Sequence, residues 1–393
     1  MSAEAARFPR LAAGLCRCAV LNSGEDPRLR HLSTAPGRKG RKIKTRRLSL
    51  KLAAIFAASA AAFIAFAPGI ASAGAALDAI KQRGTLRCGV QGPSNPGFGV
   101  PDAQGRWGGF NVEICRAIAI TIFNDPNKVE FVPVTTQSRF PALAAGEVDV
   151  LSNNSTWTLT RDSNVNRFNF PATVFYDGQA MMVPRRLNVT SARNLNGATV
   201  CVQPGTTTEL NLADYFRQHN MQFRPVVVAD LDELRRTYDS GRCDVFTNDF
   251  AALAAQRTLL GNPRDHVILP ERVSKEPLSP VVRQGDEELT NIVAWTVFAL
   301  IDAEEMGITQ ANVEQTAATA TNPVVRRLLG AEGNMGESIG AANAQYARTI
   351  IRTFGNYGEI FERHLGTNTP LGLERGMNNV WTRGGLLYAP PAR

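Results

Sequence analysis

Three groups of side chains in this chain have the types and spacing to hold a small zwitterion. Ser155-Thr156-Trp157-Thr158-Leu159-Thr160-Arg161 places hydroxyls at alternate positions with a guanidinium close behind. Arginine grips a carboxylate through two parallel N–H bonds, where lysine offers a point charge. Pro204-Gly205-Thr206-Thr207-Thr208-Glu209 reads as a turn entering a helix, and the first N–H groups and positive dipole end of a helix suit an anion. Asp249 closes a strand-like run and is a carboxylate suited to an ammonium group. Each group also has a purely structural reading. Arg161 pairs with Asp162, Thr206 and Glu209 form a Thr-x-x-Glu capping box, and Asp249 caps the helix that follows it. Residue by residue, both readings stand.

What separates these groups from chance is their placement on a repeated framework. Gly146-Glu147-Val148-Asp149-Val150-Leu151-Ser152-Asn153-Asn154 is echoed by Gly241-Arg242-Cys243-Asp244-Val245-Phe246-Thr247-Asn248-Asp249. Gly84-Thr85-Leu86-Arg87-Cys88-Gly89-Val90 similarly resembles Gly197-Ala198-Thr199-Val200-Cys201-Val202-Gln203. A long-period echo predicts two α/β lobes on one plan. The first reads as strand 86–90, helix 110–123, strand 128–134, helix 139–145 and strand 148–151, with apolar residues at 110, 114, 118 and 122 at helical spacing. The second reads as strand 198–203, helix 207–220, strand 225–229, helix 231–239 and strand 243–247. Crossings between lobes are expected at 179–183 and near 277–283, the latter stiffened by Pro277 and Pro280. A helix over 289–301 then returns to lobe one, and from 310 the chain is helical, with an amphipathic segment at 341–354. Ligands of open α/β sheets bind beyond the carboxyl ends of the strands. Those ends, residues 152–158 and 247–249, form two polar rims across a cleft.

Composition narrows the classes of function. The formal net charge is +8, but of 43 Lys+Arg and 35 Asp+Glu, residues 1–73 hold 13 and 3, which leaves 30 and 32 beyond them. The mature part is slightly acidic and lacks the basic footprint of a nucleic-acid binder. The leader carries a basic run from Arg38 to Arg47, an apolar stretch over 52–67 and Ala71-Ser72-Ala73, the three regions of a secretory signal with cleavage near Ala73. Thr45-Arg46-Arg47-Leu48-Ser49-Leu50-Lys51 fits both an ordinary basic n-region and a twin-arginine signal. Residues 1–37 carry no fold signal. Beyond residue 73 no segment reaches about 18 apolar residues. Cys88, Cys115, Cys201 and Cys243 remain after cleavage, an even set that favours disulfides in an exported chain. The repeat selects Cys88–Cys115 and Cys201–Cys243, each within its own lobe. No CxxC occurs, and His31, His219, His266 and His364 are scattered, so neither a metal site nor a cofactor is expected.

With these residues in view, the chain resembles the bacterial extracellular solute-binding proteins of family 3, and within them the general amino-acid receptors of ABC transporters. Gly109-Phe110-Asn111-Val112-Glu113-Ile114-Cys115, Ser155-Thr156-Trp157-Thr158, Tyr176-Asp177-Gly178-Gln179, the run from Gln203 to Phe216, Ser274-Lys275-Glu276-Pro277-Leu278, Gly355-Asn356-Tyr357-Gly358-Glu359 and the closing Trp381 to Pro391 carry it. It spans residues 76–393. The resemblance implies an α/β type II periplasmic-binding-protein fold of two βαβ lobes joined by two crossing segments, plus a C-terminal helical extension. The lobes would comprise 76–182 with 284–303, and 183–283 with the hinge segments; 304–393 would be the extension packed on lobe one. It implies L-amino-acid ligands, Thr156 and Thr158 contacting the ligand amine or carboxylate, Arg161, Thr206 and Thr207 on the carboxylate, Asp249 on the amine, and Phe98 covering the ligand. The implied setting is the periplasm, the partner an ABC membrane permease, and the state a monomer. Asn153, where an arginine is usual, and Phe250-Ala251-Ala252 after Asp249 depart from the family pattern and point to a shifted side-chain pocket. Two other functions share the fold. A cyclohexadienyl-dehydratase-like enzyme would need Glu209 or Asp249 as its acid, for no His lies near either rim and no GxSxG or metal spacing occurs. A periplasmic amino-acid sensor would differ only in its partner.

Overall fold

The repeated phrase has one mechanical task in both halves of the chain. Gly146 (φ 77°) and Gly241 (φ 78°) take left-handed backbone where a helix ends, a conformation that a side chain opposes. Three residues on, an aspartate enters the third strand of its lobe. The Asp149 carboxylate accepts the Arg87 N–H at 2.8 Å, and its own N–H donates to the Arg87 carbonyl at 2.9 Å. Asp244 repeats this with Thr199, accepting its N–H at 2.8 Å and its hydroxyl at 2.6 Å while donating to its carbonyl at 3.0 Å. Each aspartate thus pins the third strand of its lobe beside the first.

The computed structural model describes residues 74–92 and 94–393; the expected leader and its cleavage site lie outside the described residues. The strands run β1 (Leu86–Gln91), β2 (Val100–Pro101), β3 (Trp107–Gly108), β4 (Val129–Val134), β5 (Val150–Thr156), β6 (Phe168–Asn169), β7 (Phe175–Asp177) and β8 (Gln179–Pro184). They continue as β9 (Thr199–Val202), β10 (Arg224–Val227), β11 (Val245–Asp249), β12 (His266–Ile268) and β13 (Glu276–Arg283). One sheet has the order β4-β1-β5-β13-β6, with β7 also on β13; the other has β10-β9-β11-β8-β12. In both, three parallel strands in the order second, first, third are followed by an antiparallel strand that comes from the other lobe.

The crossings therefore lie a few residues earlier than the sequence suggests. The runs 179–183 and 277–283 belong to β8 and β13, and their apolar character reflects burial inside sheets rather than passage between them. The chain crosses at Gly178, between β7 and β8, and again over residues 269–275 into β13. Glu276, Pro277 and Leu278 pair with Asp177, Tyr176 and Phe175, so the two connections run side by side as a hinge. At Gly178 a Cβ would stand 2.8 Å from the Ser274 carbonyl, an approach closed to any larger residue.

Disulfides join Cys88 to Cys115 and Cys201 to Cys243, as the repeat predicts. The first ties β1 to the helix Phe110–Phe123, whose buried residues include Phe110, Ile114, Ile118 and Ile122 at the expected spacing. Helix Glu287–Glu305 packs beside it, and helices Tyr346–Phe354 and Tyr357–His364 bury Ile350, Ile351, Ile360 and Phe361 in the same core. The C-terminal extension thus completes lobe one. Arg375 and Arg383 also clamp it to buried Glu304. Helix Tyr346–Phe354 starts five residues later than its amphipathic pattern, because the Asn343 side chain takes the Gln345 N–H at 2.8 Å and holds a turn. No helix among the described residues is long and apolar enough to cross a membrane.

Asp244→Ala should lower unfolding stability by about 1–3 kcal/mol, since it strands the Thr199 N–H and hydroxyl, as read by urea unfolding. Hydrogen bonds from the Thr199 side chain and backbone hold the Asp244 carboxyl below its ordinary 3.8. Its contribution is therefore fully present above that value and fades as pH falls through the lowered one. The variant should lose less stability in acid than the parent.

Candidate functional site: a charged cavity between the lobes

The carboxyl ends of both sheets meet over one cavity. Lobe one lines it with Gln91 at the end of β1, Thr136 and Arg139 at the start of helix Arg139–Ala145, and Asn154 and Thr156 at the end of β5. Lobe two answers with Gln203, Thr206, Thr207, Thr208, Asn248, Asp249 and Ala252. The lobes touch across it: the Ser94 hydroxyl donates to Asp232 at 2.7 Å, and Gln256 Nε2 donates to the Ser94 carbonyl.

Arg139 and Asp249 dominate the electrostatics. Arg139 is 6% exposed, and its Nε has no hydrogen-bond partner among the described residues. Burial, then the nearby Arg161 guanidinium, push it down to about 9, so it stays cationic at neutral pH. Asp249 is 7% exposed and its Oδ1 is also without a partner. Burial first, then the Glu276 and Asp177 carboxylates, raise its carboxyl well above the ordinary 3.8. Buried polar groups are nearly always paired, and a buried unpaired charge is strongly unfavourable. Two such groups of opposite sign on one cavity wall are the signature of a site completed by its ligand.

Asp249 escapes the capping role open to it in the sequence. It precedes helix Phe250–Thr258 but makes no side-chain cap bond. Asp177, from the hinge, takes the Ala251 N–H at 3.0 Å instead. The threonines behave differently from expectation. Thr206 Oγ1 donates to the Gln203 carbonyl at 2.9 Å and accepts the Glu209 N–H at 3.0 Å. Glu209 returns to the Gly205 N–H at 2.8 Å, one residue short of a capping box. Thr207 donates its hydroxyl to Glu276 at 3.2 Å. Both hydroxyl protons are therefore committed inside the protein. What helix Thr207–Gln218 offers an anion is its first-turn N–H groups, which have no acceptor within the helix.

Other predicted residues part company. Thr156 lines the cavity, whereas the Thr158 hydroxyl accepts the Arg161 N–H at 3.3 Å and secures a local turn. Arg161 does not pair with Asp162, which takes the Trp157 N–H at 2.8 Å. Its Nη1 donates to the Thr156 carbonyl at 2.8 Å, and its guanidinium lies over the Phe140 ring at 4.9 Å. Asp249 and Glu276 both act on it electrostatically, although it is not among the residues that line the cavity. Phe98 is corrected outright. It is fully buried in lobe one, edge-on to Phe110 and Phe175, because three phenylalanines filling one core exclude more water than a ring over a cleft.

Asn153 also faces away, accepting from the Ser155 hydroxyl at 2.8 Å. Its neighbour Asn154 reaches the cavity with left-handed backbone (φ 56°), held by Asn111 Nδ2 at 2.8 Å. Of Phe250, Ala251 and Ala252, only Ala252 lines the cavity; Phe250 lies beneath the Arg272 guanidinium at 3.5 Å. Sequence reasoning missed Arg139, Gln91, Gln203 and Asn248. Gln91 and Gln203 were accessible, since each follows the first strand of its lobe, where the strand-end rule applies. No metal-holding cluster of His, Cys, Asp or Glu occurs among the described residues.

The sequence model of the bacterial extracellular solute-binding proteins, family 3, matches residues 86–311. The chain is 50% identical over 339 residues to the general L-amino acid-binding periplasmic protein AapJ of Rhizobium johnstonii, covering 86% of this chain and 98% of that protein. It is 51% identical over 344 residues to the glutamate/glutamine/aspartate/asparagine-binding protein BztA of Rhodobacter capsulatus, covering 88% and 100%. Among solved structures it is similar to an ABC transporter periplasmic binding protein from Brucella ovis with glutathione bound. That match has a TM-score of 0.78 and 48% identity, and covers 81% of this chain and 99% of that one.

Arg139→Met should leave the melting temperature of the ligand-free protein unchanged or raise it, since it replaces an unpaired buried cation with an apolar side chain of similar length. The same change should weaken binding of a carboxylate ligand by about 2–5 kcal/mol, roughly 30-fold to a few thousand-fold. Thermal unfolding and calorimetry on one preparation check both halves.

Proposed function

The chain belongs to the bacterial extracellular solute-binding proteins of family 3, and we propose that it captures L-amino acids with acidic or amide side chains in the periplasm and hands them to an ABC permease. Its two lobes, side-by-side crossings and C-terminal helices form the type II periplasmic-binding architecture that the resemblance implied. The observation that carries the ligand class is the pair of buried, unpartnered groups of opposite sign, Arg139 and Asp249, on one cavity. Asp249 takes the ammonium group. The first-turn N–H groups of helix Thr207–Gln218 and the Arg161 guanidinium take one carboxylate. Arg139, with Asn154 and Gln91, is left for an acceptor at the far end of the ligand, such as a side-chain carboxylate or amide oxygen. The relatives that bind glutamate, glutamine, aspartate and asparagine support this reading.

Closure of the lobes sequesters the ligand, and the closed form is what a permease reads. The hinge geometry and the Ser94–Asp232 contact support this role. The chain acts as a single protomer, exported by its cleaved signal, with lobe one drawn from the residues before Gly178 and from β13 to residue 303, lobe two from β8 to β12, and the extension from 304–393. It binds rather than transforms its ligand. A sensor would use the same site and a different partner.

The cavity layout favours one further ligand. A second cavity lies at the mouth, between residues 133–136 and 229–232, and shares Gln91, Thr136 and Gln203 with the inner one. A γ-glutamyl peptide has the α-amino-acid head of glutamate and a tail that would run outward into this space. The glutathione-bound relative supports that reading.

Calorimetry on residues 74–393 should give binding with glutamate, glutamine, aspartate and asparagine, and none with lysine or arginine, whose cationic ends would face Arg139. Glutathione binding would extend the ligand class; silence with all of these would overturn the proposal. Asp249→Asn should weaken amino acids more than their des-amino analogues, and equal losses would place Asp249 outside the ammonium site.

A further inference from the structure

Near Asp249 lie two buried carboxylates that do not line the cavity. Asp177 ends β7 and Glu276 begins β13, as directly paired residues of the two hinge strands. Asp177 accepts N–H bonds from Gly178 at 2.8 Å and Ala251 at 3.0 Å. Glu276 is 1% exposed and accepts from the Thr207 hydroxyl, Asn211 Nδ2 at 2.8 Å and the Ser274 hydroxyl at 2.6 Å. Asp249 completes the cluster, with an Oδ1 that nothing in the described residues satisfies. Three buried carboxylates bear on one another here. The cations facing Asp249 are Arg139 and Arg161, and the one facing Asp177 is Arg272.

We propose that capture of an ammonium-bearing ligand is coupled to release of a proton from the buried carboxyls of Asp177 and Asp249, with Asp177 a positioning residue for Asp249 and the paired Glu276 carboxylate crowding them both. The inference rests on the amino-acid receptor reading. Like charges crowded in a low-dielectric site cannot all ionise at once. Burial pushes the Asp177 carboxyl up to about 7, and Asp249 moves in the same direction. In the empty protein near neutral pH the Asp177 and Asp249 carboxyls therefore hold a proton between them. A ligand ammonium brings the missing positive charge. The carboxylic O–H then gives its proton to buffer, and the ligand nitrogen keeps its own. Because binding favours the ionised cluster, affinity falls as pH drops through the cluster's titration and levels off above it, with a limiting slope of about tenfold per pH unit for one proton.

The test is calorimetry with L-glutamine and L-glutamate at pH 6.5, in phosphate and in an amine buffer of high ionisation enthalpy. Neither ligand titrates near that pH. Different apparent enthalpies in the two buffers, corresponding to roughly half to one proton released per ligand, together with affinity that rises between pH 5.5 and 7.5, support the coupling. Binding with the same enthalpy in both buffers and a flat pH profile overturns it while leaving the receptor intact. No heat with either ligand removes the receptor reading and this inference together. Asp177→Asn takes one carboxylate out of the cluster, so it should reduce the proton count at pH 6.5 and flatten the acid limb. An unchanged proton count in a folded variant would take Asp177 out of the coupling.

Discussion

The structure depends on keeping opposite charges buried and apart. Arg139 stands on lobe one and Asp249 on lobe two, both nearly out of water and each with an atom that has no partner among the described residues. Left to local packing, either would find a partner or reach solvent. They are held because each grows from a rigid sheet end. Asp249 closes β11, which lies between β9 and β8. Arg139 opens a helix directly after β4, with its guanidinium over the Phe140 ring at 5.0 Å. The buried, unsatisfied Arg139 guanidinium and Asp249 carboxyl are the reservoir that a zwitterion relieves on binding.

The rest of the fold supplies that rigidity. In each lobe an aspartate locks the third strand to the first, and a disulfide anchors the first strand of the sheet, β1 or β9. The lobes are thereby two stiff plates, and the freedom left to them lies in the paired connections at Gly178 and residues 269–275. Glu276 sits on that hinge and holds Thr207 and Asn211 of the anion-facing helix. The hinge is thus bonded directly to the start of helix Thr207–Gln218, whose first residues line the cavity. The C-terminal extension has no contact with the cavity; by covering the helix Phe110–Phe123 it lets that helix be apolar nearly all round.

Much of this was legible before the fold was known. The echo of Gly146–Asn154 in Gly241–Asp249 locates both rims, the capping pattern locates the helix start at Thr207, and the even cysteine set favours disulfides whose pairing the repeat selects. The failures have physical causes. The resemblance implies Phe98 as a ligand cover, but an aromatic ring follows the largest available apolar surface, and that is Phe110 and Phe175. Thr158 and Asn153 were chosen by position in a motif, whereas facing is decided by backbone torsion. The left-handed turn at Asn154 redirects the end of β5 and brings Asn154 to the cavity with Thr156.

The sequence by itself determined the two-lobe plan, the alternation of strands and helices in each lobe, the disulfides and the polar character of both rims, because periodicity, turn residues and repeated phrases act over a few residues and are written locally. Only the tertiary structure decided which charges are unpaired. Whether Arg161, Arg139, Asp249 and Asp177 bond to each other, to backbone or to nothing depends on elements far apart in the chain, such as Asp177 and Ala251 at a separation of 74 residues, meeting at a hinge. Asp177 captured the Ala251 N–H, and that long-range competition freed Asp249 for a ligand. Partnering is a property of the assembled interior, where water no longer satisfies what the protein leaves unbonded.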